Sequence, residues 1–220
     1  MVVCPYHAWC YDTRGRLKSL RNAKHILEIQ LNEHGLRRVS LEVFQGLVFV
    51  NLDTDAAPLA AGLGATADEI RDYLPNLPSC HFAHRTEALL KANWKIVIEN
   101  FSECYHCHIV HKTFTEGVIK PEAYKIIARG DSRLHCALPQ SGDTNDTAAD
   151  QAAKTDIFTA WYLWPLTAVQ VYPGGVGTTF RWIPLDPELT KFEVDWWLAA
   201  PKPTSSEQAM NNQHEATTFA

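Results

Sequence analysis

Glu99-Asn100-Phe101-Ser102-Glu103-Cys104-Tyr105-His106-Cys107-His108-Ile109-Val110-His111 places three histidines, two cysteines and two carboxylates within thirteen residues. Two neutral imidazoles and a carboxylate make the facial set of non-haem iron(II) sites, which leaves coordination positions open. His106 and His111 are five residues apart, about 140° around a regular helix of 3.6 residues per turn. Both reach one ion only if the helix is distorted, as by a π-bulge, or ends between them. Glu103 lies three residues before His106, on its face, whereas His108 points away and reads as a bystander. Cys104 and Cys107 offer soft thiolates, so a structural zinc site of Cys104, Cys107 and His111 is the competing chemistry.

Outward from this stretch, Trp94, Ile96, Val97, Ile98 and Phe101 predict one helix over Ala92–Val110, without Gly or Pro. Upstream, a short helix is expected over Ala67–Tyr73, ahead of Pro75 and Pro78. Val43–Leu52 reads by composition as a buried strand. Downstream, residues 138–155 read as a polar loop. Phe158–Trp164, Val169–Tyr172, Thr178–Ile183 and Phe192–Leu198 read as antiparallel strands. Residues 205–220 have helical composition.

A second constellation opens the chain: Cys4-Pro5-Tyr6-His7-Ala8-Trp9-Cys10-Tyr11, followed by the turn residues Asp12 to Arg16 around Gly15. A Cys-x-x-His pair at a hairpin tip supplies one thiolate and one imidazole. Two such half-sites complete a Rieske 2Fe–2S cluster, although zinc sites share the spacing. Cysteine beside histidine reads as metal or redox chemistry before a disulfide framework. Cys10, Cys80 and Cys136 lack such company and read as small buried apolar residues.

Composition narrows the classes. The 220 residues carry a net charge of −5, with 46% hydrophobic and 20% charged, and suit a soluble globular protein. The acidic balance argues against a nucleic-acid partner. No apolar run approaches the roughly 20 residues of a membrane span, and the N-terminus lacks the basic and apolar regions of a signal peptide. The expected location is cytoplasmic.

The chain resembles the α-subunits of Rieske aromatic-ring-hydroxylating and quaternary-amine oxygenases. Cys4 to Tyr11 is similar to the second half of the family's Cys-x-His…Cys-x-x-His motif, and Val43 to Leu52 to the strand pair after it. Asn93-Trp94-Lys95 through His111 is similar to the signature Asn-Trp-Lys…Glu-Asn…Glu-x-Tyr-His-x-x-x-x-His of the catalytic domain. The likeness runs down to Tyr172-Pro173-Gly174-Gly175.

The resemblance implies an α+β fold. A partial small Rieske β-domain (1–58) and a linker (59–84) precede a partial catalytic domain (85–220) with helices over an antiparallel sheet, of the helix-grip, START-like kind. It implies that Cys4 and His7 ligate the 2Fe–2S cluster and that His106 and His111 bind mononuclear Fe(II). Glu103 would be the catalytic carboxylate bridging to a neighbouring subunit's cluster in a homotrimer. Electrons would come from NAD(P)H through a reductase or ferredoxin, and O2 would hydroxylate or oxidatively cleave a small organic substrate, a quaternary amine or an aromatic. Glu103, where ring hydroxylases more often have Asp, leans towards the choline, carnitine and betaine branch. Trp161, Tyr162, Trp164, Tyr172, Trp182, Trp196 and Trp197 are candidates for an aromatic cage around a trimethylammonium group.

Ala8 stands where the family usually has Gly. The first Cys-x-His half-site and the third iron ligand, an Asp, are expected outside the 220 residues, and His214 and Glu215 are not expected to substitute. The chain therefore reads as truncated at both ends, without a complete cluster, binding iron poorly and inactive as it stands. The alternatives are a non-catalytic small-ligand-binding fragment of the same fold, or a structural zinc protein.

Overall fold

The computed structural model describes residues 1–21, 29–129, 132–137, 157–173, 176–199, 201 and 212. The polar stretch 138–155, Gly174-Gly175, His214 and Glu215 lie outside the described residues, as does nearly all of 205–220. Two compact units are present: residues 1–44 with 48–58, and 45–47 with 59–220.

Among its described residues, the first unit is strand and turn with one short 3-10 helix at Leu31–Glu33. β1 (Val2–Val3), β2 (Cys10–Tyr11) and β3 (Leu17–Ser19) form a small antiparallel sheet. The turn between β2 and β3 is built by Asp12, whose Oδ1 accepts the backbone N–H groups of Arg14 and Arg16, both at 2.9 Å. Gly15 provides the positive φ of 76° that this turn requires. Val43–Leu52 is not one buried strand. It divides into β4 (Ser40–Phe44) and β5 (Leu47–Asn51), joined at Gln45-Gly46, where both φ angles are positive, and Val43, Val48, Val50 and Leu52 are exposed. Apolar composition cannot distinguish a buried strand from a hairpin with bare faces.

The second unit is an α+β layer of helices on a seven-stranded antiparallel sheet. Its strands are β6 (His81–Leu90), β7 (Lys125–Arg129), β8 (Ser132–Ala137), β9 (Phe158–Leu163), β10 (Thr167–Val171), β11 (Gly177–Asp186) and β12 (Leu189–Leu198). Their order is β6-β12-β11-β10-β9-β8-β7. The chain thus leaves β6, crosses one face in helices, enters at the far edge and meanders back. Residues 59–84, expected as a linker, hold α1 (Leu59–Leu63), α2 (Ala65–Tyr73) and the start of β6, with Ile70, Leu74 and Leu77 buried.

Strand alternation sorts the two faces. On β12, Phe192, Val194 and Trp196 pack into the core with Phe180 and Trp182 of β11, whereas Lys191, Glu193 and Asp195 join an ion-pair row. The helices cover the apolar face: Ile98, Phe114, Val118 and Ile119 are buried in the same core as the sheet residues.

Candidate active site

The expected single helix over Ala92–Val110 is two helices with a break between them. Asn93 starts α3 (Trp94–Phe101): its Oδ1 accepts the Lys95 N–H at 3.0 Å, the usual N-cap. α3 ends at Ser102, and Glu103 to Tyr105 follow outside helix. α4 (Cys107–Val110) is one turn, with His106 at its N-cap and His111 at its C-cap. His111 leaves helical geometry (φ −100°, ψ 57°) and itself begins α5 (Lys112–Gly117), its carbonyl accepting the Phe114 and Thr115 N–H groups at 3.0 Å.

Interruption at both histidines, with no π-bulge, overcomes the angular separation that a regular helix would impose. The two rings lie with centroids 5.1 Å apart at 68°, near enough to share one ion. Glu103 Oε1 contacts His106 Nδ1, and Oε2 accepts the Tyr105 N–H. Asn100 Nδ2 stands 3.4 Å from the same His106 nitrogen. His106 is thereby oriented through Nδ1, which leaves Nε2 available. Burial raises the Glu103 pKa, but His106 and the Tyr105 N–H outweigh it and the net shift is downward. His111 Nδ1 is buried without a hydrogen-bond partner, and burial, with His106 beside it, lowers the His111 pKa. A neutral imidazole with an unpaired nitrogen is the form that ligates a metal.

Cys104 and Cys107 form a disulfide, against the expectation that cysteines in this company read as metal ligands. A zinc site drawing on both would need two free thiolates. Among the described residues, no group of three or more His, Cys, Asp and Glu side chains is arranged to hold a metal. Glu103 holds His106 rather than standing as a third ligand. Cys4 and His7 sit in the loop between β1 and β2, closed by Ala8 N–H to Cys4 O and Cys4 N–H to Trp9 O, each 2.9 Å. Cys4 is half-buried and His7 exposed. Cys10, Cys80 and Cys136, expected buried, are half-buried free thiols.

The histidine pair opens on a cavity of about 550 Å³ between helices and sheet. Of the seven aromatics expected as a cage, only Tyr172 and Trp182 line it. Trp161 and Trp196 are fully buried, Tyr162 bonds the Pro165 carbonyl, Trp164 is exposed, and Trp197 donates to Thr179 Oγ1. The other aromatic walls are Phe101, Phe114, Tyr124, Phe158, Phe180 and Phe192. A sequence signal existed for the strand positions alone: Phe180 and Trp182, like Phe158 and Tyr162, alternate on one face.

Residues 77–220 match the model of the family described as ring hydroxylating alpha subunit (catalytic domain). The carnitine monooxygenase oxygenase subunit of Escherichia coli (strain K12) is 27% identical over 214 residues, covering 96% of this chain and 56% of that protein. The glycine betaine monooxygenase oxygenase subunit of Chromohalobacter salexigens is 37% identical over 122 residues, 54% of this chain and 26% of that protein. The solved structure of a quaternary ammonium Rieske monooxygenase, described for carnitine oxidation and inter-subunit electron transfer, shares the fold. Its TM-score is 0.82 at 22% identity, over 97% of this chain and 57% of that one. The chain spans about half the length of the carnitine oxygenase relative it matches. With its helix-covered antiparallel sheet and the family model matched over most of its length, this chain belongs to the ring hydroxylating alpha subunit (catalytic domain) family.

Proposed function

We propose that this chain is part of the oxygenase component of a Rieske non-haem iron system, in which His106 and His111 hold mononuclear Fe(II) beside the substrate cavity. The observation that carries this reading is the convergence of two imidazoles, one with an unpaired buried nitrogen, on a cavity walled by aromatic rings. Bound iron would supply O2 activation and the oxidising power for hydroxylation or oxidative cleavage. Glu103 orients the His106 ring through Nδ1, and Phe101, Phe180, Trp182 and Phe192 exclude water from the substrate side.

A quaternary amine is the favoured substrate class. Aromatic faces attract a trimethylammonium group without a formal charge partner, and among the described residues no Lys or Arg lines the cavity to repel it. Aromatic substrates are the second choice, supported by the same apolar walls. Glu103 is further assigned as the carboxylate linking the iron-ligating imidazole to a cluster histidine of a neighbouring copy in a homotrimer, which its 39% side-chain exposure allows. Cys4 and His7 are assigned as half of the 2Fe–2S ligand set, with electrons arriving from NAD(P)H through a reductase or ferredoxin.

Anaerobic titration of the purified chain with Co(II), followed by visible absorption, tests the metal assignment. Wild type is expected to take up one ion, weakly for a site with two protein imidazoles. His106→Ala and His111→Ala are each expected to lose at least about tenfold in affinity, the scale on which coordination-sphere changes act. Wild-type affinity in both variants would refute the assignment, and retained binding that needs reduced Cys104 and Cys107 would favour the zinc alternative.

A further inference from the structure

A cross-strand row of polar groups runs beneath the cavity, with Gln170 as its member on the cavity wall. Cross-strand pairing aligns Thr178 of β11 with Gln170 of β10, Gln170 with Ala160 of β9, and Ala160 with His135 of β8. Directly opposed residues of antiparallel strands project from the same face, and here it is the face that bears Phe180, Trp182 and Tyr172. Gln170 is 4% exposed and lines the cavity. Thr178 Oγ1 and His135 Nε2 are buried without hydrogen-bond partners. Buried polar atoms are overwhelmingly paired, and two orphans in one row call for an explanation.

Tyr124 completes the arrangement. It lines the cavity and stacks near Phe158, and its hydroxyl lies 2.9 Å from His135 Nδ1. A neutral imidazole carries one N–H. With the proton on Nε2, the His135 ring would bury an unpaired N–H, and the Tyr124 proton would be spent on Nδ1. With the proton on Nδ1, that N–H donates to Tyr124 Oη, Nε2 keeps only a lone pair, and the tyrosine proton is free for the cavity. Orphaned buried N–H groups are the rarer case, so the second arrangement is favoured. Burial holds His135 neutral, with a pKa lowered to about 4.

We propose that Gln170 and the Tyr124 hydroxyl, the latter held by His135, form a hydrogen-bonding subsite on the sheet floor that binds an oxygen acceptor of the substrate and sets its orientation. This rests on the reading of the cavity as the substrate site. Gln170 and Tyr124 touch the substrate, and His135 acts through Tyr124 as a positioning residue.

Calorimetric titration of the full chain with two pairs of probes tests it. Glycine betaine is set against isobutyltrimethylammonium, in which two methyl groups replace the carboxylate oxygens, and benzoate against isopropylbenzene. Tyr124→Phe and Gln170→Leu are each expected to weaken the oxygen-bearing member of a pair roughly ten- to a hundredfold, the value of one lost hydrogen bond to a carboxylate. The apolar twin should stay within about twofold. Equal weakening of both twins, or of neither, overturns the subsite. Should wild type bind none of the four while Co(II) still binds at the histidine pair, the cavity is not the substrate site and the subsite falls with it. Nitrogen-15 NMR of wild-type His135 gives a reading independent of any variant: a protonated Nδ1 is expected, and a protonated Nε2 overturns the proposal.

Discussion

Ala8 has a φ of 58°, inside the left-handed region where a Cβ crowds the neighbouring carbonyl. The loop imposes this, because the Ala8 N–H must reach Cys4 O at 2.9 Å while Cys4 N–H reaches Trp9 O. Ala8→Gly is expected to stabilise the first unit by about 0.5–1 kcal/mol, the left-handed cost less the extra entropy of glycine. Ala8→Val should destabilise it by more. Urea unfolding followed by Trp9 fluorescence measures both, and a destabilised Gly variant would show that the alanine methyl packs favourably. At the same scale, the pairing of His106 with His111 was legible from the sequence in residue type and spacing, and the interrupted helix brings the two rings to 5.1 Å. His135 was not, because a lone histidine in a short strand gains meaning only from its register with Ala160 and its reach to Tyr124.

Elements place these residues by ending where they do. α4 is a single turn between the two histidines, and a continuous helix would turn the rings apart. The sheet's other face shows a different economy: Glu193, 5% exposed at its side chain, meets Arg181, Lys191 (2.8 Å) and Arg85 (3.4 Å), while Arg85 grips Asp195 at 2.6 Å. Burial raises the Glu193 pKa, yet hydrogen bonds from Lys191 and Arg181 outweigh it and bring it down to about 2. A depressed carboxylate contributes stability that is complete above its unfolded value of 4.5 and is lost as pH falls from there to about 2. Glu193→Gln is therefore expected to lower stability by about 1–3 kcal/mol at pH 7, a range discounted for the half-exposed cations. Thermal melts should show the deficit shrinking as pH falls through that window; a deficit independent of pH would mean that packing, not charge, is lost. β11 and β12 were legible from their apolar alternation, whereas β6, β7 and β8 were not. His81–Leu90, Lys125–Arg129 and Ser132–Ala137 mix polar and apolar residues; β6 is made a strand by β12, far along the chain, and β7 and β8 by pairing with each other and with β9.

At the scale of the whole molecule, the second unit joins a large sheet to α3, α4 and α5 so that one cavity has a wall with two facing imidazoles, aromatic sides, and polar groups at Gln170 and Tyr124. The family follows from motif and fold together, but most of the cavity wall was hidden in the sequence. Its aromatic residues have the same composition as the core, and only the sheet's geometry sorts Trp182 into the cavity and Trp161 out of it. In the proposed function, iron held by His106 and His111 would face that cavity. The most direct measurement is electron paramagnetic resonance of the anaerobic chain loaded with Fe(II) and exposed to nitric oxide, with and without glycine betaine. A high-spin iron–nitrosyl signal that sharpens or shifts on adding glycine betaine, and is absent in the His106→Ala/His111→Ala double variant, is the expected result. A signal that survives loss of both histidines, or that ignores every cavity ligand, would contradict the claim.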